Sequence, residues 1–237
     1  MKITMRLISF DVGIKNLSFC CLDYTDDKYR IYDWGIINIS CDECCDHIIK
    51  GGRKCEMSAS VINESGKKLC NSHKKNKEYK DLKLKKIPKI KNQTLHIGEN
   101  IVNRLNEKDF LDVHDVIIEN QPALKNPTMK TVQMMIYSYF LINGYTNEDS
   151  IIDNIEMINA RNKLKAYNGP PIESPYSKDV KNRYKTNKYL AIEYCKHMVT
   201  CEESSFQELF NTSKKKDDLS DSFLQGVYWI LKKSNAL

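Results

Sequence analysis

Apolar residues alternate with polar ones in short runs over the first 40 residues, a pattern that favours β-strands. Residues 5–12 and 17–24 predict two strands with a short turn between them, and residues 29–40 predict a third. Because the links are short, consecutive strands can pair only in antiparallel order. The amino-terminal part of the chain is therefore predicted to form an antiparallel meander.

From residue 93 onwards the spacing of apolar residues predicts helices that alternate with strands. Short apolar runs before Glu119 and at 155–158 predict two further strands. The predicted helices cover residues 95–105, 128–143, 178–199 and the segment from 218 onwards. Residues 202–216 are predicted to form a polar connector before the last helix. Three hairpin strands followed by helix, strand, helix and strand indicate a mixed α/β domain flanked by helices.

Residues 41–91 interrupt this pattern. The segment contains the glycine pair Gly51 and Gly52, Pro88, and, from Lys74 to Lys91, nine lysines against two acids. Such a composition disfavours a core strand or a long helix. We therefore predict one main domain over 1–237 that an inserted basic module interrupts at 41–91.

Charge and cysteine content narrow the range of partners and compartments. The net charge is +6, and lysine is concentrated at 74–91, 178–188 and 214–216, which favours a polyanionic partner. Asp11 breaks the first apolar run, so no signal peptide is predicted, and no run reaches the roughly 18 apolar residues of a membrane span. We expect an intracellular protein in a reducing compartment, where nine cysteines do not form a disulfide framework.

The cysteine-rich part of the inserted module predicts a structural zinc site. The spacing Cys-x2-Cys, followed about 25 residues later by Cys-x2-His, is typical of tetrahedral zinc ligands. Free buried thiols are the alternative. The best ligand set is Cys45, Cys55, Cys70 and His73. Cys41 or Cys44 could substitute for Cys45, and His47 is a weaker candidate. The other four cysteines, Cys20, Cys21, Cys195 and Cys201, are predicted to lie in the core.

Four acidic residues on separate segments predict a second metal site. Asp11 and Glu119 each follow an apolar strand, while Asp218 and Asp221 share one face at the start of the last helix. Each acid alone is as typical of a strand end or of a first helical turn. Converging carboxylates repel one another unless a cation binds, and hard oxygen ligands suit Mg²⁺, with Mn²⁺ as a substitute. This set predicts a two-metal phosphodiesterase site.

Three motifs resemble the poxvirus Holliday junction resolvases, which are RuvC-like members of the ribonuclease H-like superfamily. They are FDVGIKN at 10–16, IIENQP at 117–122 and KKDDLSDSF at 215–223. The resemblance implies a five-stranded mixed sheet whose strands 4 and 5 are parallel, and Mg²⁺ ligands at the four acids. It also implies a homodimer, a four-way DNA junction as substrate, and a basic catalytic residue on the helix after the fifth strand, for which Lys185 and Lys188 are the candidates.

The implied activity is Mg²⁺-dependent paired hydrolysis of junction phosphodiesters that leaves 5'-phosphates, at the cytoplasmic site of viral DNA replication. Two alternatives are a single-cut nuclease of the same fold that acts on hybrids or flaps, and a non-catalytic, zinc-dependent nucleic-acid-binding protein. Actin-like sugar kinases also place an Asp after the first strand. They need glycine-rich phosphate loops, which a chain with nine glycines does not offer, so no organic cofactor is expected.

Overall fold

A computed structural model describes residues 5–40, 43–49, 52, 55, 57–88, 93–108, 110–176 and 182–234. The chain divides into two compact units. The first comprises Met1–Ile39 and Gly98–Leu237, and the second comprises Ser40–Ile97. Among the described residues, no helix combines the length and the apolar character that a membrane crossing requires.

The first unit is built on a five-stranded mixed sheet in the order β3-β2-β1-β7-β8. The hairpin strands pair antiparallel, whereas β1 and β7, and β7 and β8, pair parallel. The predicted mixed sheet is therefore confirmed, and β1 lies at its centre. The strands are β1 (Met5–Val12), β2 (Asn16–Thr25), β3 (Lys28–Asn38), β7 (Asp115–Glu119) and β8 (Asn154–Ile158).

Within the described ranges, five α-helices accompany the sheet. Gln93–Asn106, Pro127–Phe140 and Arg183–Val199 are the helices expected from the apolar spacing. The first residues of the third predicted helix, 178–181, lie outside the described residues. In chain order the helices are α1 (Gln93–Asn106), α2 (Pro127–Phe140), α3 (Arg183–Val199), α4 (Ser204–Thr212) and α5 (Lys216–Lys233).

Two helical segments differ from the sequence prediction. The polar connector at 202–216 contains α4, because Phe206, Leu209 and Phe210 recur at helical spacing and pack against the core. The Phe210 ring stacks on Trp34 with centroids 5.7 Å apart. Directly after β8, Ala160–Ala166 forms a 3₁₀ helix, which the short polar sequence does not indicate by periodicity.

Helix α5 packs closely on the sheet because Gly226 faces it. A Cβ atom at this position would lie 2.8 Å from Leu22 Cδ1 and 3.2 Å from Ser9 Cβ. Apolar residues on either side of the glycine, including Phe223 and Val227, are fully buried. The absence of a side chain at Gly226 lets the backbone of α5 approach β1 and β2 closely. This close approach helps to position the first turns of α5 relative to the sheet.

The second unit has a three-stranded antiparallel sheet in the order β5-β4-β6. Its strands are two residues long: β4 (Val61–Ile62), β5 (Lys68–Leu69) and β6 (Lys85–Lys86). Two 3₁₀ turns, His73–Lys75 and Lys77–Tyr79, connect β5 to β6. The small core contains three cysteines together with Val61, Leu69 and Tyr79. So few buried apolar side chains stabilise a fold weakly, which favours an additional cross-link.

Candidate active site and metal centre

The four acids predicted from the sequence line one cleft of the first unit, which has a volume of about 790 Å³. Asp11 lies near the end of β1, and Glu119 is the last residue of β7, the parallel neighbour of β1. Asp218 and Asp221 lie on the first turns of α5. Parallel strands end at the same edge of a sheet, so the order of the strands brings the first two acids together.

Buried polar contacts fix α5 against the strand that carries Asp11. The Gln225 amide nitrogen donates to Ser9 Oγ at 3.1 Å and to the Phe10 carbonyl oxygen at 3.2 Å. The hydroxyls of Ser18 and Ser222 are hydrogen-bonded at 2.9 Å. Because Gln225 lies one turn beyond Asp221, these contacts hold the carboxylate of Asp221 in register with β1.

Glu119 is held by a hydrogen-bonded loop. The Gln121 amide nitrogen donates to Glu119 Oε2 at 2.6 Å. The backbone N–H of Gln121 donates in turn to Gln133 Oε1 on α2 at 3.0 Å, and Gln133 is fully buried. Helix α2 therefore orients the loop that follows β7, and with it the carboxylate of Glu119.

The carboxylates shift one another's pKa values. Burial raises the pKa of Asp11 well above its usual range, and the neighbouring Glu119 and Asp221 raise it further. Burial also raises the pKa of Asp221 to about 6, although Lys163 opposes this shift. The negative charge of the cluster thus exceeds what its one buried lysine neutralises, and a bound cation would relieve the imbalance.

Lys163 is the basic residue that the structure brings to the acids. It lies in the 3₁₀ helix that follows β8 and forms an ion pair with Asp221, and its side chain is only 15% exposed. Burial lowers the pKa of Lys163, but Asp221, Glu119 and Asp11 raise it above the ordinary value, so the ammonium group remains charged.

The resemblance implied a basic residue further along the chain, at Lys185 or Lys188. Lys185 is exposed and is not among the described residues that line the cleft, whereas Lys188 lines it and pairs with Asp217 at 2.6 Å. The resemblance pointed to a residue after the fifth strand, and RNKLK follows β8 directly. The adjacency of this short basic segment to the strand was the signal that could have identified Lys163.

Asp217 is a further acid of the cleft that the sequence reasoning passed over. Burial tends to raise its pKa, but the hydrogen bond and charge of Lys188, its own backbone amide and the charge of Lys215 together lower the pKa below its usual value. Its neighbour Asp218 pairs with Lys215 at 3.2 Å. Helix α5 therefore presents three carboxylates to the cleft, two of which have a lysine partner on the surface side.

The residues present fit a divalent hard cation. Asp11, Glu119, Asp218 and Asp221 offer only carboxylate oxygens, which are the ligands that Mg²⁺ prefers. The raised pKa values of Asp11 and Asp221 show that these groups are poorly compensated without a cation. The acids also leave one side open to the cleft, as a catalytic rather than a purely structural metal site requires.

A second set of metal-binding side chains lies in the second unit. Cys45, Cys55, Cys70 and His73 place one ligand atom each within 4.8 Å of all the others. His73 Nδ1 lies 3.4 Å from Cys70 Sγ and 3.6 Å from Cys45 Sγ. Three thiols and one imidazole form a closed donor set of the structural zinc type. This is the ligand set that the sequence predicted.

Backbone amides support the sulfur atoms of this cluster. The N–H of His73 points at Cys70 Sγ at 3.4 Å, and the N–H of Met57 points at Cys55 Sγ at 3.5 Å. Burial raises the pKa of Cys70, but the amides of His73 and Ser72, together with hydrogen bonds from Cys45 and Cys55, lower it below the ordinary value. Amides that stabilise thiolates are what a zinc–cysteine site needs.

The other candidate ligands have different surroundings. Cys44 is exposed and forms a backbone bridge with Ser58, and Cys41 lies outside the described residues. His47 Nδ1 lies 2.9 Å from the Tyr79 hydroxyl and 3.0 Å from Glu78. Cys201, predicted to be a core residue, is exposed because α3 ends at Val199. The cysteines Cys20, Cys21 and Cys195 are buried as predicted.

The arrangement of strands and helices, with acids at the ends of two central strands and on the last helix, is the ribonuclease H-like fold of RuvC-like Holliday junction resolvases. A solved structure with this fold, the yeast mitochondrial Holliday junction resolvase, is 16% identical and has a TM-score of 0.52, over 98% of this chain and 81% of that one. The fold that the three motifs predicted is thereby confirmed.

Two further comparisons involve viral proteins. The fowlpox virus resolvase, solved with Holliday junction DNA, is 14% identical with a TM-score of 0.49, over 97% of this chain and 99% of that one. An uncharacterized protein of Acanthamoeba polyphaga mimivirus is 28% identical over 95% of this chain and 74% of its own length. No family model matches the sequence.

Proposed function

We propose that this chain is a Mg²⁺-dependent endonuclease that resolves four-way DNA junctions. The observation that carries the proposal is the convergence of Asp11, Glu119, Asp218 and Asp221, with the half-buried Lys163, in one cleft of a resolvase fold. The fold alone would leave the activity open, since one fold hosts many functions. The acids and the lysine give the cleft the chemistry of phosphodiester hydrolysis.

The four carboxylates would hold the metal ions between the ends of β1 and β7 and the first turns of α5. Bound there, Mg²⁺ would activate a water molecule and stabilise negative charge at the departing 3'-oxygen, which leaves a 5'-phosphate. Asp11, on the central strand and electrostatically coupled to both Glu119 and Asp221, would hold the metal ions together with these two acids.

Lys163 has a separate role in this scheme. Its ammonium group stays charged in a half-buried position, where a single positive charge stabilises a developing negative charge more strongly than it would in water. We assign it to the scissile phosphate, with Asp221 as the residue that positions it. We therefore propose Lys163 for the role of basic catalytic residue, for which Lys185 and Lys188 were the candidates from the sequence.

The rim of the cleft is suited to a polyanionic backbone. Lys15, Arg161, Lys188 and Lys215 line it around the acids. Cations at these positions would attract phosphate groups that the carboxylates alone would repel, and binding would then weaken steeply with salt. The site thus favours a nucleic acid over a small phosphorylated metabolite.

Paired cutting of a junction needs two active sites, and one chain carries one acidic cleft among its described residues. We therefore propose that the active form is a homodimer, in which a two-fold axis relates two clefts that nick opposite strands. Recognition would rest on the shape of the junction more than on base sequence. We propose a viral setting for this activity, since one relative of the chain is a protein of Acanthamoeba polyphaga mimivirus.

The decisive experiment offers the purified protein three substrates under identical Mg²⁺ conditions: a synthetic four-way junction, an RNA–DNA hybrid and a flap. We expect symmetric paired nicks in the junction with 5'-phosphate ends. Asp11→Asn should abolish cleavage, whereas Asp149→Asn, the same change at an exposed loop position, should not alter it.

Other outcomes of this experiment identify the competitors. A preference for the hybrid or the flap, with single cuts, would replace the resolvase with a single-cut nuclease of the same fold. Binding to all three substrates with no cleavage in Mg²⁺ or Mn²⁺ would indicate a non-catalytic nucleic-acid-binding protein and would overturn the proposed function.

A further inference from the structure

A lysine segment, residues 75–86, follows the cysteine–histidine cluster in the second unit. It contains six lysines, and the side chains of all six are exposed. Within the described part of the chain none of the six has a carboxylate within ion-pair distance, whereas Lys68 of the same unit pairs with Glu43 at 2.8 Å. The six residues are Lys75, Lys77, Lys80, Lys83, Lys85 and Lys86.

The acids of the lysine segment do little to neutralise it. Of its two acidic residues, Glu78 lies 3.0 Å from the imidazole of His47 and is engaged there. Asp81 is the other, and it is exposed. Six ammonium groups against two carboxylates leave a local excess of positive charge in 12 residues. Self-repulsion of this kind costs stability, and a bound polyanion would relieve it.

The backbone of the lysine segment is held in place at several points. It starts two residues after His73, a member of the cysteine–histidine cluster. In its middle Tyr79 is buried, with its hydroxyl 2.9 Å from His47 Nδ1 and the Lys67 ammonium 4.6 Å from its ring centroid. At its end, β6 pairs with β4. The lysines therefore project from an ordered support.

An ordered support lowers the entropic cost of binding. A flexible lysine-rich tail must lose backbone freedom when it meets a ligand, whereas here only side-chain freedom is lost. The lysine segment differs in this respect from a charge run in a linker. Its ammonium groups are spaced along two 3₁₀ turns and one edge strand, which suits a ligand that carries many negative charges in a row.

We infer that the lysine segment is a second DNA-binding surface, which contacts the phosphate backbone of the junction arms without reading sequence. The inference rests on the proposed function, because that function supplies DNA as the polyanion of the same chain. Two contact surfaces on one chain act at a high effective concentration, so weak phosphate contacts by the lysine segment add to the affinity of the cleft. The cysteine–histidine cluster then has a purpose: it stabilises the support of these lysines.

The test is the salt dependence of junction affinity in an Asp11→Asn background, which keeps the DNA intact. Two triple variants neutralise the lysine segment: Lys75→Gln with Lys77→Gln and Lys80→Gln, and Lys83→Gln with Lys85→Gln and Lys86→Gln. A matched control removes three exposed lysines of the first unit: Lys28→Gln, Lys196→Gln and Lys232→Gln. Fluorescence anisotropy with a labelled four-way junction gives Kd at several NaCl concentrations.

Each phosphate contact contributes about 0.9 to the slope of log Kd against log salt. We expect each segment variant to reduce the slope by about 1 to 2.7 and the control to leave it nearly unchanged. Equal slopes for all proteins, or an equal reduction in the control, would overturn the inference. Zinc content and circular dichroism of each variant show that the second unit is still folded.

The same series separates this inference from the proposed function. Cleavage is measured with Asp11 intact, while the slopes are measured with Asp11→Asn. Cleavage together with unchanged slopes overturns the DNA-binding role of the lysine segment alone. Slopes that change as expected, without cleavage by the Asp11-containing protein, overturn the nuclease and leave the second surface standing.

Discussion

Lys163 and Asp221 form an ion pair within the acidic cleft, although they come from a 3₁₀ helix and an α-helix far apart in the chain. Asp221, Glu119 and Asp11 all act on Lys163 and raise its pKa. Its partner in the ion pair, Asp221, is the acid whose pKa is raised to about 6. Lys163 lowers the pKa of Asp221, and Asp221 raises that of Lys163. Each residue thus favours the charged form of the other, although burial still leaves the pKa of Asp221 raised.

Lys163→Gln should reduce the rate of junction cleavage by about 10²–10³-fold, because it removes one preorganised positive charge from the phosphate site. Single-turnover rates at saturating protein measure the effect on the chemical step. Lys165→Gln is the matched control, since Lys165 is an exposed lysine of the same 3₁₀ helix. Comparable rate losses in both variants would argue against a specific role for Lys163.

The contrast between the acids and Lys163 shows which residues of the site can be predicted from sequence alone. Asp11 and Glu119 follow buried apolar runs, and Asp218 and Asp221 share a helix face, so local pattern alone places them. The strand order then brings them together. No local sequence pattern identifies Lys163, because its position depends on a 3₁₀ turn and on how β8 lies in the sheet. A single polar turn has no hydrophobic period from which to be recognised.

The same distinction holds for the fold. The hairpin strands and the long helices were predictable because their apolar residues repeat at regular spacing. Helix α4 was not, since only Phe206, Leu209 and Phe210 interrupt a polar stretch and their partners, such as Trp34, come from distant β3. Tertiary packing therefore decides the short elements. The cysteine–histidine cluster was predictable because cysteine and histidine spacing is a chemical rather than a periodic signal.

Mg²⁺ should stabilise the wild-type protein at pH 8, and Asp221→Asn should reduce this stabilisation. The cation would compensate carboxylates whose pKa values are raised by burial and by mutual repulsion. Melting temperatures with and without added Mg²⁺ measure the effect. Asp149→Asn serves as the control with an intact cleft, and an equal Mg²⁺ shift in both variants would place the ion elsewhere.

Without added divalent cation, the raised pKa of Asp221 determines how the stability of the protein changes with pH. Its folded-state pKa of about 6 lies above the ordinary 3.8, so its contribution to stability is fully present below pH 3.8 and is lost as the pH rises through 6. Asp221→Asn should therefore gain stability relative to wild type between pH 4 and pH 7. At 1.36 kcal/mol per unit of pKa the gain is roughly 3 kcal/mol. A difference that does not change with pH would contradict the raised pKa.

Purified protein should contain about one zinc ion per chain, as four converging ligands imply. Cys70→Ser should lose the zinc and destabilise the second unit, because the small core of that unit gives it little stability by itself. Cys44→Ser should keep both the zinc and the stability, since Cys44 is exposed. Elemental analysis and limited proteolysis within 40–97 measure the two effects, and retention of zinc by Cys70→Ser would remove Cys70 from the ligand set.

The close approach of α5 to the sheet predicts opposite effects for two Gly→Ala changes. Gly226→Ala should lower the free energy of unfolding by about 1–3 kcal/mol, since the new Cβ would lie 2.8 Å from Leu22 Cδ1 and 3.2 Å from Ser9 Cβ. In α1, a Cβ at Gly98 would meet only the end of the Met135 side chain, at 3.4 Å. Gly98→Ala should therefore be neutral or stabilising, by up to about 1 kcal/mol, because alanine favours a helix interior.

Chemical denaturation of both variants measures the difference, and junction cleavage gives a second readout. Any shift of α5 away from β1 would move Asp218 and Asp221 relative to Asp11 and slow cleavage, because reacting groups displaced by about 1 Å can cost about 10²-fold in rate. We expect Gly226→Ala to lose both stability and rate, and Gly98→Ala to lose neither. Full activity in a destabilised Gly226→Ala protein would show that the carboxylates of α5 are positioned independently of its packing on the sheet.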